Sequence, residues 1–207
     1  MRRRFHFLPV VSFLLLTVLF TAAFARYENP FRGAKVGDFV KFGRYSQTSE
    51  GGVIDIEWRV LAVENGRVLA ISRYGLDVRP FGASNAWADS DIRGWLNGEF
   101  YGVAFTDAEK GIIASSDPGK VFLLSKDEAE GYFDSDKDRR CRPTAYAEKN
   151  GASEYNCYCR WWLRSPNPDN DRNAYDVDGS GCVSDCSYVG NGDGCARPAL
   201  WINLESE

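Results

Sequence analysis

Histidine is almost absent from this chain of 207 residues, which contains only His6. Position 6 lies in an N-terminal segment that we expect to be removed, so the remaining chain has no imidazole. Without one it cannot build a Ser-His-Asp or Cys-His catalytic site, a histidine-ligated zinc site or a histidine pH switch. No other catalytic constellation is recognisable, and the sequence therefore predicts a protein that is not an enzyme.

Other features are missing as well. The chain shows no internal repeat, no heptad pattern and no Gly-Ser linker, so we expect a single domain. After the N-terminal segment no apolar run is long enough to span a bilayer. Cysteine is absent from the first 140 residues, although six cysteines follow.

The N-terminus has the pattern of a secretory signal peptide. Arg2-Arg3-Arg4 precedes an apolar run from Phe7 to Phe20, and Ala23-Phe24-Ala25 resembles a cleavage site. An uncleaved membrane anchor is the alternative, because the run is nearly long enough to cross a bilayer. We predict a signal peptide over residues 1–25 and an exported protein, located outside the cell, at its surface or in a periplasm.

The mature chain is expected to be acidic. The formal net charge is −4, and loss of Arg2, Arg3 and Arg4 makes it more negative. Phosphate backbones are bound by basic surfaces, so nucleic acid is an unsuitable partner. We assign residues 26–35 to a short tether and residues 36–205 to one α+β domain.

The first half of this domain has the alternation of a sheet. Phe39 to Phe42 predicts a strand, and Ile54 to Val63 alternates apolar and polar residues. Asn65-Gly66 is a preferred hairpin turn, so Arg67 to Tyr74 is expected to return antiparallel. The closing strand, Arg197 to Asn203, is expected to pair with Phe39 to Phe42.

Helix signals follow these strands. Ser90 can cap a helix that ends at Gly98 or Gly102, with one apolar face formed by Ile92, Trp95, Leu96 and Phe100. Two capping boxes, Thr106-x-x-Glu109 and Ser125-x-x-Glu128, predict two further short helices. A short buried strand is expected over residues 121–124, immediately before the second box.

Two apolar anchors enclose a polar segment near the C-terminus. The anchors are Trp161 to Pro166 and Ala196 to Ile202, and about thirty residues rich in Asn, Asp, Ser, Gly, Tyr and Cys lie between them. Trp161, Trp162 and Trp201 are expected in the core. The enclosed segment has too few apolar groups to form core, so we predict a large irregular loop region that lies outside.

Cysteines concentrate in this part of the chain. In an oxidising compartment they are expected to form disulfides, whose pairing the spacing leaves open. A thiolate metal site is the alternative, although no spacing matches a zinc ribbon. The disulfide candidates are Cys141, Cys157, Cys159, Cys182, Cys186 and Cys195.

Several loop residues are candidates for ligand contact. Asp169-x-Asp171-x-Asn173 has alternating oxygen ligands, but the sixth and twelfth places lack the Gly and Glu of an EF-hand. A looser calcium site that includes Asp176 or Asp178 is possible, and no other cofactor is expected. Arg164 and Arg197 flank the loop and can bind a carboxylate or hold the loop in place. Tyr175 and Tyr188 offer aromatic faces for a ligand.

The ordered motifs resemble a known family. They include Asp38 to Tyr45, Arg93-Gly94-Trp95-Leu96-Asn97, Cys141 to Ala147, Trp161 to Pro166 and Arg197 to Ile202. Together they are similar to the bacterial family called domain of unknown function 6273. The resemblance implies a C-type-lectin-like fold of the formylglycine-generating-enzyme type, with a small antiparallel sheet, two or three short helices and a large irregular C-terminal loop region. It implies no activity.

Three functions are compatible with these observations. The first is a secreted or cell-surface binding module that presents residues 167–195 to a carbohydrate or protein ligand. The second is an oxidase resembling formylglycine-generating enzyme, in which Cys182 and Cys186 hold copper. The third is a structural subunit of an envelope or assembly. The loop composition also fits a segment diversified by a retroelement, or simply a run of turns.

Overall fold

Strands dominate residues 27–205, the part of the chain that the computed structural model describes. The predicted signal peptide, residues 1–25, lies outside these residues. The strands are β1 (Phe39–Ser46), β2 (Val53–Glu64), β3 (Arg67–Ser72), β4 (Asp77–Val78), β5 (Glu154–Tyr155), β6 (Tyr158–Cys159), β7 (Trp161–Pro166), β8 (Asn173–Val177), β9 (Val183–Tyr188), β10 (Cys195–Ala196) and β11 (Ala199–Asn203).

The first sheet has the order β1-β2-β3-β11, and its neighbours are antiparallel. Asn65 and Gly66 both have positive φ, as the predicted two-residue hairpin turn requires. The predicted pairing of the closing strand was wrong, because β11 lies beside β3 and not beside β1. The reason is the burial of β3, in which Val68 to Ile71 are almost fully enclosed. A strand of this kind belongs in the interior of a sheet.

The second sheet has the order β4-β10-β7-β8-β9. Strands β10 and β7 are parallel, whereas the other neighbours are antiparallel. Strands β8 and β9 form a hairpin within the segment for which we predicted an irregular loop. That prediction was too simple, because polar residues of the segment pair as strands and leave only the connections irregular.

Short helices connect and cover the sheets. They are α1 (Asp91–Trp95), α2 (Tyr101–Ala104), α3 (Asp107–Lys110), α4 (Lys126–Gly131), α5 (Asp136–Arg139) and α6 (Ala145–Lys149). This set exceeds the two or three helices that we predicted. Both capping boxes are confirmed, since the side chains of Thr106 and Ser125 each accept a hydrogen bond from the third residue of their helix.

The helix capped by Ser90 runs further than predicted. A π-helical turn, Leu96–Phe100, joins α1 to α2, so the chain remains helical to Ala104 and the predicted end at Gly98 or Gly102 was wrong. The extra turn keeps Ile92, Leu96 and Phe100 buried on one side. Residues 121–124 are buried as predicted, but they form only a single bridge, between Phe122 and Ala199, and no strand.

Strand β7 lies between two hydrophobic clusters. Trp162 belongs to the first, with the rings packed around Phe42 and Phe100, and Trp161 belongs to the second, with Leu69 and Phe122. Successive residues of a strand point to opposite faces, so β7 contributes one tryptophan to each cluster. At roughly 25 cal/mol per Å², each enclosed indole contributes about 4–6 kcal/mol. Both tryptophans are fully buried as predicted, whereas Trp201 is only partly buried.

The predicted tether packs against the domain. Phe31 is fully buried and its ring lies edge-on to Phe42, with 5.4 Å between centroids. The amide of Asn29 donates to the carbonyl of Asn203 at 2.7 Å. From Asn29 onward this segment is therefore part of the folded unit, because an apolar ring anchors it to β1 and an amide anchors it to β11, the two edge strands of the first sheet.

All six cysteines are free thiols in the structure, so the predicted disulfides are not confirmed. Cys141, Cys159 and Cys195 are buried in the second hydrophobic cluster, while Cys157, Cys182 and Cys186 are exposed. Burial raises the pKa of the Cys141 and Cys159 thiols well above their ordinary value. Thiols of this kind stay protonated and act as small apolar groups.

Candidate functional site

The inner face of the β8–β9 hairpin carries a buried polar network. The Ser187 hydroxyl donates to Asp176 Oδ2 at 2.7 Å, and Arg160 Nε lies 3.6 Å from the same oxygen. Arg160 also bonds the Ser187 hydroxyl and the carboxylate of Asp193, and its guanidinium lies 4.9 Å from the centre of the Trp162 ring. Arg160, which lies immediately before β7, thus ties β8, β9 and the following loop together.

Asp176 is the most enclosed carboxylate of this network. It is 1% exposed, and its Oδ1 atom has no hydrogen-bond partner among the described residues. Burial raises the pKa of Asp176 from 3.8 to about 6, against the opposing effects of the Ser187 hydrogen bond and the Arg160 charge. The side chain predicted to contact a ligand therefore points into the protein, where it serves the hairpin.

The outer face of the same hairpin carries three other predicted residues. Asn173 is paired with Tyr188 across the strands, so their side chains share a face. The one extra residue between the paired positions lies in β9, so β8 alternates regularly and Tyr175 points to the same side as Asn173. Tyr188 is 48% exposed, and Tyr175 is half-buried. The structure therefore brings Asn173, Tyr175 and Tyr188 together as one surface, which we call the hairpin face.

A buried amide fixes the turn that leads into this hairpin. The side-chain amide of Asn85 donates to the carbonyls of Asn167, Asn170 and Asn173 at 2.9–3.1 Å, and its backbone N–H donates to Asp171. Sequence reasoning missed Asn85, as it missed Arg160 and Asp193. No local signal was available for Asn85, since its partners lie more than 80 residues away.

The same turn gives no support to the calcium hypothesis. Asp169 and Asp171 are exposed at its tip. Among residues 27–205 no group of three or more carboxylate, thiol or imidazole side chains is arranged to hold a metal ion. The Asp169-x-Asp171-x-Asn173 spacing accordingly behaves as turn chemistry, in which Asn167 accepts backbone hydrogen bonds from residues 169 and 170.

Asp178 closes the connection between β8 and β9. Its carboxylate accepts hydrogen bonds from the backbone of Ser180 and Cys182 at 2.8 and 3.0 Å. Gly181 has φ of +94°, and a β-carbon there would overlap the carbonyl of Asp136. This connection therefore packs tightly on α5, and Asp178 acts as a turn residue.

The two arginines at the feet of the segment have different surroundings. Arg164 makes a bidentate pair with Glu128 of α4, and it also donates to the carbonyl of Leu123. Its guanidinium is therefore occupied within the protein. Arg197 is 3% exposed, stacks on Trp161 and donates to the carbonyls of Ser72 and Arg139. It meets no carboxylate within ion-pairing distance among residues 27–205.

The cysteines of the oxidase hypothesis have separate partners. Cys182 Sγ lies 3.4 Å from Asp136 Oδ2, whereas Cys186 Sγ lies 3.0 Å from the hydroxyl of Ser184. Both thiols are exposed. The hairpin therefore directs the two sulfur atoms to different neighbours, and it brings no third metal ligand to them within the described residues.

Sequence comparison places the chain in a family. Residues 65–204 match the profile described as Domain of unknown function (DUF6273), and the chain belongs to this family. No curated protein and no solved structure matches the chain significantly. Of the helices between residues 27 and 205, none combines the length and apolar character that crossing a bilayer requires.

Proposed function

We propose that this protein is an exported binding module that presents the hairpin face to a carbohydrate or protein ligand. A single observation carries the proposal: Asn173, Tyr175 and Tyr188 share one side of a hairpin, where Tyr188 is exposed and the other two are half-buried, and buried polar groups seal the opposite side. Phenol rings beside amides and carboxylates suit sugars and protein epitopes alike.

Rigidity supports the same proposal. Arg160 fixes the hairpin from below, and Asn85 fixes the turn before it. A surface that is already ordered loses little conformational entropy when a ligand binds, which favours affinity. The lack of a convergent catalytic group on this face also favours recognition over chemistry.

We further propose a C-type-lectin-like arrangement for the fold. Its support is that β1 and β11, the first and last strands of the described residues, belong to one sheet. The polar segment forms part of the second sheet and the loops that connect its strands. A binding surface on those connections is the arrangement that such a fold offers.

An array of glycans and surface proteins tests the function. Mature protein is applied beside the double variant Tyr175→Ala, Tyr188→Ala and the control Tyr27→Ala, which also removes a partly exposed phenol but lies outside the segment. We expect a ligand that wild type and the control retain and the double variant loses. The proposal would be refuted if wild type bound no ligand on the array, or if Tyr27→Ala lost binding as the double variant does.

A further inference from the structure

A cavity lies apart from the hairpin face, and none of the residues of that face lines it. Its volume is about 280 Å³, and arginines from four different parts of the chain line it. These are Arg59, Arg73, Arg140, Arg142 and Arg197. We call it the arginine pocket. Such a concentration of positive charge is unexpected in a protein whose formal net charge is −4.

Two of the five charges are neutralised within the protein. Arg59 makes a bidentate pair with Asp138 at 2.7 and 2.9 Å, and its hydrogen bonds hold the pKa of that carboxyl below its ordinary value. Arg73 bonds Glu57 at 2.7 Å. For the other three arginines, no carboxylate of residues 27–205 lies within 4.0 Å. The pocket therefore retains an excess of positive charge.

Arg197 makes this excess costly. It is 3% exposed and donates to two carbonyls, and the carboxylate that acts on it electrostatically, Asp138, is already paired with Arg59. A buried guanidinium without a counter-charge lacks most of the stabilisation that water would give it. An anion in the pocket would supply that missing charge.

Aromatic rings hold the exposed guanidinium groups in place. Arg140 and Arg142 lie 5.4 and 5.6 Å from the centre of the same ring, that of Tyr158. Arg73 lies 4.9 Å from the centre of the Phe39 ring. A guanidinium that stacks on a ring keeps its N–H edge free for an acceptor. Arg140 donates from Nε to the carbonyl of Ser180 at 2.9 Å, whereas the guanidinium of Arg142 makes no hydrogen bond within residues 27–205. The pair stacked on Tyr158 therefore brings two like charges together and keeps donors free.

We propose that the arginine pocket binds a small organic oxyanion: a carboxylate, sulfate or phosphate carried on a molecule about the size of a sugar. Arginine is the only cationic residue type that lines the pocket, and its planar fork suits bidentate binding of such groups. The volume equals that of roughly nine liquid waters, so the part of a ligand that enters the pocket is small.

Isothermal titration calorimetry with four probes tests this proposal. The probes are sulfate, phosphate, glucuronate and glucose, each at a fixed ionic strength of about 150 mM so that general screening is constant. We expect at least one oxyanion to bind with Kd of about 1 mM or tighter, and glucose not to bind. The three anionic arms distinguish the charged group. Absence of binding by all three anions would overturn the proposal.

Matched variants separate a built site from diffuse attraction. Arg142 is exposed and its guanidinium contacts the Tyr158 ring, so Arg142→Gln is expected to fold normally, as a melting curve would verify. It should weaken binding at least about tenfold, because hydrogen bonds to charged groups are strong. Arg32→Gln removes the same charge from an exposed position outside the pocket and should change nothing. Equal weakening by both variants would contradict the proposal.

Two further variants complete the experiment. Arg142→Lys keeps the charge but loses the planar fork, so we expect only partial retention of affinity. Full retention would argue against a bidentate site. The double variant Tyr175→Ala, Tyr188→Ala should bind the anion as wild type does, which makes failure of this proposal distinguishable from failure of the proposed function.

Discussion

The two faces of the β8–β9 hairpin use the same residue types for opposite purposes. Asp176 and Ser187 point inward and are almost completely buried, whereas Asn173 and Tyr188 point outward. The difference lies in their partners. Inward groups meet Arg160, which supplies charge and hydrogen bonds, whereas Tyr188 on the outward side meets solvent. A polar composition therefore does not by itself mean an exposed segment.

Removing Arg160 should break the inner face. Arg160→Ala leaves the Asp176 carboxylate buried without its cation, a change that costs about 3–5 kcal/mol when a buried pair loses one partner. The side chain of Arg160 is 15% exposed and that of Asp176 is 1% exposed, so water compensates little. Urea unfolding at pH 7.5 would measure the loss.

An arginine on the outer side provides the control. Arg172 is exposed, and Arg172→Ala should change the free energy of unfolding by no more than about 0.5 kcal/mol. The loss caused by Arg160→Ala should shrink at pH 5, where Asp176 is largely neutral. An equal loss at both pH values would show that packing on Trp162, and not charge, is what Arg160 contributes.

Local sequence patterns predicted the strands of the first sheet well, although not the neighbour of its closing strand, and they predicted the second sheet poorly. Strand β2 alternates Ile56, Trp58 and Val60, and Asn65-Gly66 specifies its turn, so short-range information was sufficient. In β8 an aspartate occupies a buried position, and this disguises the alternation. Its burial depends on Arg160, a residue just before another strand, and no local pattern contains that information.

Whereas Arg160→Ala should destabilise the protein, the pKa of Asp176 predicts that replacing this carboxylate stabilises it. Its value of about 6 in the folded protein exceeds the ordinary value of 3.8, so the folded state binds more protons between these limits. Stability is therefore present at low pH and is lost as the pH rises from about 4 to about 6. Asp176→Asn removes this loss and should raise the free energy of unfolding at pH 7.5 by up to about 3 kcal/mol.

Unfolding curves at several pH values would check this prediction. The advantage of Asp176→Asn should grow between pH 4 and pH 6 and then level off. Asp138 is a control with the reverse sign, because the Arg59 hydrogen bonds lower its pKa. Asp138→Asn should therefore be less stable than wild type above pH 4. A constant difference for Asp176→Asn across this range would contradict the assigned titration.

Asn85 offers an intermediate effect. Asn85→Ala leaves the carbonyls of Asn167, Asn170 and Asn173 without their shared donor, and it should cost about 1–2 kcal/mol. Hydrogen exchange should accelerate in residues 167–173 and stay unchanged in β2. Asn191→Ala, which alters an exposed amide, is the control. Uniform acceleration throughout the domain would show that the amide supports the whole fold and not this turn alone.

The candidate site was predicted in part by residue type. Tyr175, Tyr188 and Asn173 were chosen as ligand contacts, and the structure places them on one face. Their role in binding stays a prediction. The arginine pocket was not predicted, because Arg59, Arg73 and Arg142 come from distant parts of the chain. Only the dense basic run around Cys141 hinted at it, and that run alone resembles an ordinary charged turn.

The smallest effects should come from the two tyrosines of the hairpin face. Tyr188 is 48% exposed, so Tyr188→Ala should change stability by less than about 0.5 kcal/mol. Tyr175 packs partly against the second hydrophobic cluster, and the ammonium of Lys126 lies 6.0 Å from its ring centre. Tyr175→Ala should therefore cost about 1 kcal/mol.

Measurements of ligand affinity show whether the two tyrosines bind a ligand or only stabilise the fold. Both variants should weaken binding of any ligand found on the array, although their stabilities differ. If Tyr188→Ala destabilises the protein as much as Tyr175→Ala does, its ring is part of the packed interior and the outer face is smaller than proposed. If both leave affinity intact, recognition lies elsewhere, and the exposed side of the hairpin then differs from the buried side only in its contact with water.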